Sequence, residues 1–308
     1  MTVSFRPRLI SGTVAVVMIG FLAGCTSVSG PAEASTDPAA PQRIAAISPD
    51  VAETVAALGA GDRLVLVPDT QTRPALTNHL PVMQSVGTTF AAHGAADPEQ
   101  ILATDPDLAI ITPRHEGESD TAALLEASSV PVLTLPNSWR TVEEMLANIT
   151  TIGTAIGASE QATVLTADIE RDLADIAPVS GPGPSVLVLS NQAGRPMINA
   201  GNGFTLDLLA RAGGRNAADS TGLTRTGFAD PEHLVRARPD AILLVDLLGA
   251  GRESFDSILS NPAVSELEAV RTDRILVLDG KHAQALGLQT TTEGVERIRD
   301  WLADLDRP

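Results

Sequence analysis

The chain has 308 residues and a formal charge of −17, a length that suits two domains better than one core. The acidity excludes binding to nucleic acid or anionic lipid through bulk charge. The single cysteine excludes an intrachain disulfide.

At the N-terminus Arg6 and Arg8 precede an apolar run from Leu9 to Leu22, and Leu22-Ala23-Gly24-Cys25 ends the segment. A basic start, an apolar run too short for a comfortable bilayer span and small residues at the end make residues 1–24 a secretory signal peptide. Leu22-Ala23-Gly24-Cys25 resembles the bacterial lipobox. That resemblance implies that Cys25 is lipidated, begins the mature chain and anchors it on the outer face of the cell membrane. Residues 25–41 are rich in Ser, Ala, Pro, Thr and Gly without an apolar period, the composition of a flexible tether.

Residues 42–140 alternate strand and helix patterns. Arg43 to Ile47 and Arg63 to Val67 read as strands, and Val51 to Leu58 between them as a helix with Gly59 near its C-cap. Further strands are expected up to Ile111 and over Val130 to Leu135. Such alternation predicts an α/β lobe on a parallel sheet, with ligand at the carboxyl ends of the strands. The polar residues just past those ends are Ser48, Asp69, Thr70, Arg114, Asn137 and Trp139.

One stretch in this lobe occurs twice. Asp97-Pro98-Glu99, then Pro106-Asp107 and an apolar run to Ile111, return 133 residues later as Asp230-Pro231-Glu232, Pro239-Asp240 and a run to Val245. Asp is a good N-cap, Pro suits the first helical position, and Glu meets the positive end of the helix dipole. The later proline stops the helix. A repeat at so long a spacing suggests two similar lobes rather than a solenoid. Glu99 and Glu232 have two readings at this level: helix-start acids, or one carboxylate per lobe on a docking surface.

Residues 141–178 form a helical connector. Val142, Met145, Leu146, Ile149, Ile152 and Ile156 follow one helical period, and Val164, Leu165, Ile169, Leu173 and Ile176 follow another. A helical bridge is stiffer than a loop pair, so a small opening motion is expected. Gly181-Pro182-Gly183-Pro184 then resets the chain. Residues 179–308 make the second α/β lobe, with strands near Val186, Met197, Val245 and Leu278 and an amphipathic closing helix through Val295, Ile298, Trp301 and Leu302.

Three motifs carry a resemblance. They are Arg43-Ile44-x-x-Ile47-Ser48-Pro49-x-x-x-Glu53-x-x-x-Ala57-Leu58-Gly59-x-x-Asp62-Arg63, the two Glu-to-Pro-Asp copies, and Leu208-Leu209-Ala210-Arg211-Ala212-Gly213-Gly214-x-Asn216. In this order they resemble the ferric-siderophore, haem and cobalamin substrate-binding proteins of ABC importers, over about residues 42 to 303. The resemblance implies two α/β lobes joined by one long helix, a ligand cleft between them and no enzymatic activity. It also implies a monomer that serves a permease dimer and its ATPase. Glu99 and Glu232 fall where the family docks on arginines of the permease.

Pro68-Asp69-Thr70-Gln71-Thr72 and Ala285-Leu286-Gly287-x-x-Thr290 look most like the haem-binding branch, as does Gly201-x-Gly203-Phe204-Thr205. The implied cargo is haem, with a ferric siderophore or cobalamin as the alternative. The branch commonly holds haem iron with a histidine from the first lobe and a tyrosine from the second. His93 falls at the histidine position, where a solvated loop histidine is the other reading. The chain has no tyrosine, and Phe228 stands where the branch often places one; phenylalanine stacks on a porphyrin but does not ligate iron. His282 and Met197 are the substitutes within the second lobe. Arg73, Arg114, Arg195 and Arg225 suit propionates or an anionic siderophore, and Trp139 suits a macrocycle face. The five histidines show no short metal-ligand spacing, and no nucleophile elbow, phosphate loop or His-Glu-x-x-His occurs. A ligand-sensing lipoprotein that performs no transport is the remaining alternative.

Overall fold

The computed structural model describes residues 40–92, 96–112, 118–192 and 194–305. The expected signal segment, Cys25 and the expected tether through Ala39 lie outside them. Two α/β lobes follow one another along the chain.

The first sheet holds β1 (Ile44–Ala46), β2 (Leu64–Pro68), β3 (Thr89–Phe90), β4 (Leu108–Ile111) and β5 (Val132–Thr134). Its order is β3-β2-β1-β4-β5 and every pairing is parallel. Helices α1 (Pro49–Ala57), α2 (Leu80–Ser85), α3 (Pro98–Leu102) and α4 (Glu118–Ala127) fill the crossovers. Ser48 caps α1 by accepting the Val51 N–H, with Pro49 in the first turn.

The chain then runs through α5 (Val142–Ala155) and α6 (Ser159–Ala174) into the second lobe. Thr141 caps α5 through the Glu144 N–H. Gly157, at a φ of 73°, breaks the connector in two. The second half, α6, is the long bridge, with 16 residues spanning about 24 Å.

The second lobe contains β6 (Ser185–Gln192), β7 (Arg195–Ile198), α7 (Phe204–Arg211), β8 (Arg215–Asn216), β9 (Gly227–Phe228), α8 (Pro231–Ala237) and β10 (Ala241–Asp246). The short helices α9 (Asp256–Leu259), α10 (Pro262–Ser265) and α11 (Glu268–Arg271) precede β11 (Ile275–Asp279), α12 (Gly280–Ala283) and α13 (Thr290–Leu305). The sheet order is β11-β10-β6-β7-β9, with β8 also on β6. This sheet is mixed, because β7 is antiparallel to both β6 and β9. The reason is local: two residues, Ala193 and Gly194, separate β6 from β7, which leaves room for a hairpin and none for a crossover helix.

The repeat explains the common centre of the two lobes. Asp107 accepts the Gln42 and Arg43 N–H groups at 2.7 and 2.9 Å, and its own N–H donates to the Arg43 carbonyl. Asp240 accepts the Ser185 N–H at 2.7 Å and donates its N–H to the Ser185 carbonyl at 2.8 Å. Each Pro-Asp thus pins the start of its lobe's first strand. The parallel pairs β1–β4 and β6–β10 follow directly, Ile44 beside Leu108 and Val186 beside Ala241.

Strand alternation sorts the core into three. Ile44 and Ala46 of β1, with Val186 and Val188 of β6, join α1, α5, α6, α7 and α13 in one core shared by both lobes. The opposite faces carry separate cores, around Ala45, Leu66, Ile101 and Leu125 in the first lobe and Leu187, Leu189, Phe255 and Val264 in the second.

Polar contacts also join the lobes. Asn78 donates through Nδ2 to the Gly287 carbonyl at 2.9 Å and to Thr290 Oγ1 at 3.2 Å. Asp207 of α7 accepts the Val142 N–H at 3.0 Å, and Arg211 bridges Asp207 to Glu143. The Arg211 guanidinium holds the Glu143 carboxyl below its ordinary value. Ala285-Leu286-Gly287-x-x-Thr290 therefore builds the junction between lobes. A Cβ on Gly287 would lie 1.8 Å from the Lys281 carbonyl oxygen, and the buried Leu288 takes a φ of 49°.

Candidate functional site

The carboxyl ends of both sheets face one another. Gly249, in the turn after β10, has its Cβ direction 3.8 Å from Ala75, and a Cβ on Gly280, just past β11, would run into Leu76. Ala75 and Leu76 follow β2, so the turns after β2, β10 and β11 meet across the cleft.

On the first-lobe side the floor is a closed polar network. Ser48 Oγ lies 3.1 Å from Thr112 Oγ1, and Thr112 accepts the Trp139 indole N–H at 3.1 Å. Asn137 and Asn148 exchange side-chain hydrogen bonds at 2.9 and 2.7 Å. Trp139 is 2 % exposed. Its expected role as a macrocycle contact is corrected: packing buries the ring and Thr112 takes its only donor, so it supports the floor. Its φ of 60° sets the turn that carries β5 towards α5.

Asp69 begins the turn after β2 and accepts the Ala92 N–H at 3.2 Å. This bond ties the entry of the 93–95 segment to the carboxyl end of β2. His93 itself lies outside the described residues, as does Arg114. Thr70 Oγ1 and both side-chain amide atoms of Gln71 are buried without a hydrogen-bond partner among the described residues. Groups left so cost about 1–3 kcal/mol each, which marks this turn as one that favours a polar partner. Below it, Glu53 is fully buried; it accepts the Asn78 N–H at 2.6 Å and lies 2.6 Å from His79 Nδ1. Glu53 stood in the first motif without an assigned role. Its function is to hold the cleft-facing segment and, through Asn78, the junction to the second lobe.

On the second-lobe side Asp246 ends β10. It is 1 % exposed and accepts from Asn191 Nδ2 and from the N–H groups of Leu248, Gly249 and Gly251. Asn191 returns a bond from the Leu247 N–H at 2.6 Å. The lip 247–251 is fixed by these bonds. Sequence reasoning missed Asp246; the signal was a carboxylate closing an otherwise apolar strand.

Phe228 is 60 % exposed at the end of β9. The Arg195 guanidinium carbon sits 3.9 Å from its ring centroid. Met197 pairs directly with Phe228 across β7 and β9, so both share a face with Arg195. In the hairpin Gln192 pairs with Arg195, which puts this group at the same end of the sheet as Asp246. His282 is not grouped with it. The ring faces α13, with Nε2 at 3.5 Å from Glu293, and burial holds its pKa below the usual 6.5, with Arg297 adding to the effect. Among the described residues no three His, Cys, Asp or Glu side chains group as a metal site.

Glu99 and Glu232 begin α3 and α8 in matching geometry. Asp97 and Asp230 each accept the N–H of the glutamate two residues on, both at 2.9 Å, and both glutamates are exposed. The helix-cap reading and outward presentation are thus compatible. The ends of the two helices differ in charge: Asp105 and Arg238 occupy equivalent left-handed positions, at φ 47° and 42°. Among the described residues no helix is long and apolar enough to cross a membrane.

Residues 44–282 match the family described as periplasmic binding protein. The chain is 26 % identical over 270 residues to the ABC transporter substrate-binding lipoprotein YvrC of Bacillus subtilis strain 168, covering 84 % of this chain and 79 % of YvrC. The apo structure of the periplasmic heme-binding protein RhuT from Roseiflexus sp. RS-1 superposes with a TM-score of 0.71 at 25 % identity, over 86 % of this chain and 99 % of RhuT. A periplasmic heme-binding protein from Pseudomonas aeruginosa gives 0.70 at 25 % identity, over 87 % and 95 % of the two chains.

Proposed function

The chain belongs to the periplasmic binding protein family, and on that premise we propose that it captures haem between its lobes and hands it to the permease of an ABC importer. The class, a substrate-binding protein of the haem and siderophore group, rests on the family and its relatives. Haem as cargo, the lipid anchor at Cys25 on the outer face of the cell membrane and docking through Glu99 and Glu232 are our reading.

The observation that carries haem is the exposed flat ring of Phe228 at the cleft end of the second sheet. A porphyrin needs a flat apolar contact, and Phe228 supplies one with Met197 beside it. From the first lobe, the Asp69–Ala92 bond fixes Ala92, the residue before His93, at the carboxyl end of β2. Phe228 does not ligate iron; in our reading His93 of the first lobe does, with the Met197 thioether beside Phe228 as the second-lobe substitute. RhuT and the Pseudomonas protein are described as heme-binding, which supports the same cargo.

Thermal unfolding with saturating hemin, a ferric hydroxamate siderophore or cobalamin tests this reading. A ligand that binds only the folded state raises the midpoint, by about 2.7 kcal/mol of stabilisation at a hundred times its Kd. Hemin is expected to raise it and the other two to leave it unchanged. A siderophore response without a hemin response would overturn haem and keep the class.

A further inference from the structure

We infer that Arg195, stacked on Phe228, is the group by which the second lobe selects a ligand: it binds a carboxylate at the edge of a flat macrocycle and does not read the metal. The inference rests on the haem reading above and adds which chemical feature of the ligand this lobe recognises.

Arg195 is exposed, and the structure gives it one partner, the Phe228 ring at 3.9 Å. Among the described residues no carboxylate pairs with it, whereas Arg171, Arg211, Arg252, Arg271 and Arg299 all have acidic neighbours. Other arginines, Arg73 and Arg225 among them, also have no acidic partner among the described residues, so what distinguishes Arg195 is the exposed ring it lies over. The bulk charge repels an anionic ligand, so its capture requires a cation placed at the site.

Stacking decides what that cation offers. A guanidinium lying over a ring turns its flat face to the aromatic and leaves its N–H groups in the plane, where they form a fork matched to a carboxylate. The ring also restrains the long side chain, which reduces the entropy lost on binding. Arg195, Met197 and Phe228 share one face of the β7–β9 pair, so the fork and an apolar surface sit side by side. Leu248, 37 % exposed in the lip after β10, adds apolar surface at the same end of the sheet. Phe228 has no atom that ligates iron. A flat, apolar ligand with peripheral carboxylates fits this group; a hydroxamate iron chelate without carboxylates does not use the fork.

The test is a titration of hemin and hemin dimethyl ester into the protein and into Arg195→Gln and Phe228→Leu, following the Soret band. The ester keeps the iron and the ring and lacks the carboxylates. The wild type is expected to bind hemin roughly ten- to a hundredfold tighter than the ester, the size of a charge-assisted hydrogen-bond pair. Arg195→Gln should lose that preference by weakening hemin alone, and Phe228→Leu should lose part of it. Both positions are exposed, so either variant should fold. Equal wild-type affinity for hemin and ester, or an equal loss for both in Arg195→Gln, would overturn this inference alone. Failure of hemin to bind the wild type would overturn the haem reading and this inference with it.

Discussion

Four donors converge on one carboxylate at the lip of the cleft: Asp246 takes the Asn191 side chain and three backbone N–H groups. Removing the carboxylate leaves those donors without their acceptor at a buried strand end and the part-buried turn beside it. Asp246→Ala is therefore expected to cost about 3 kcal/mol in urea unfolding, more than one typical hydrogen bond, because charged acceptors and stranded donors both count. A cost below about 1 kcal/mol would show that the lip rearranges freely. His282 gives a pH signature. Unfolded, it titrates near 6.5; folded, burial holds it lower. Between those values the unfolded chain binds a proton that the folded chain does not, so acidification favours unfolding. The urea midpoint is expected to fall from about pH 7 to 6 and to fall less steeply in His282→Gln. Equal slopes would remove His282 from the pH response. The sequence placed Asp69 and Trp139 at strand ends, and the structure finds them there. It did not show that Trp139 is spent on Thr112 or that Arg195 lies on Phe228, because both facts depend on packing between segments far apart in the chain.

At the level of elements, the repeat was readable because its rules are local. An Asp cap, a Pro in the first turn and a stopping Pro act within a few residues, and α3 and α8 form as they dictate. What Asp107 and Asp240 do was not readable, since their partners Arg43 and Ser185 lie 64 and 55 residues away. The mixed second sheet was missed for a different reason: its cause, the two-residue gap before the short β7, is local, but β7 has four residues and β9 two, too few for a period of their own. Glu99 and Glu232 are exposed and hold no neighbour in place through their carboxylates among the described residues. The double variant Glu99→Ala, Glu232→Ala is thus expected to bind hemin as the wild type does and to abolish hemin uptake by cells. Normal uptake would sink the docking role.

At the scale of the whole molecule, the shared core ties the lobes together. Ile169 of the bridging helix, Val51 of α1 and Val188 of β6 belong to one apolar cluster, and the Asn78 and Asp207 bonds cross between lobes beside it. Wide hinge opening would expose that core, so ligand enters with small shifts and must find its contacts largely preformed. This agrees with a cleft whose floor network, lip and Arg195–Phe228 stack are all in place. The helical connector was visible in sequence through apolar periodicity and the two-lobe plan through the repeat 133 residues apart; the rigidity of the junction came from Gly287, Leu288 and Thr290, whose conformation no local pattern announces. The most direct test is a hemin titration of the protein beside His93→Ala, read in the Soret region. The account predicts saturable one-site binding whose iron-ligand spectrum is lost in the variant. An unchanged spectrum in His93→Ala would contradict iron capture by the first lobe.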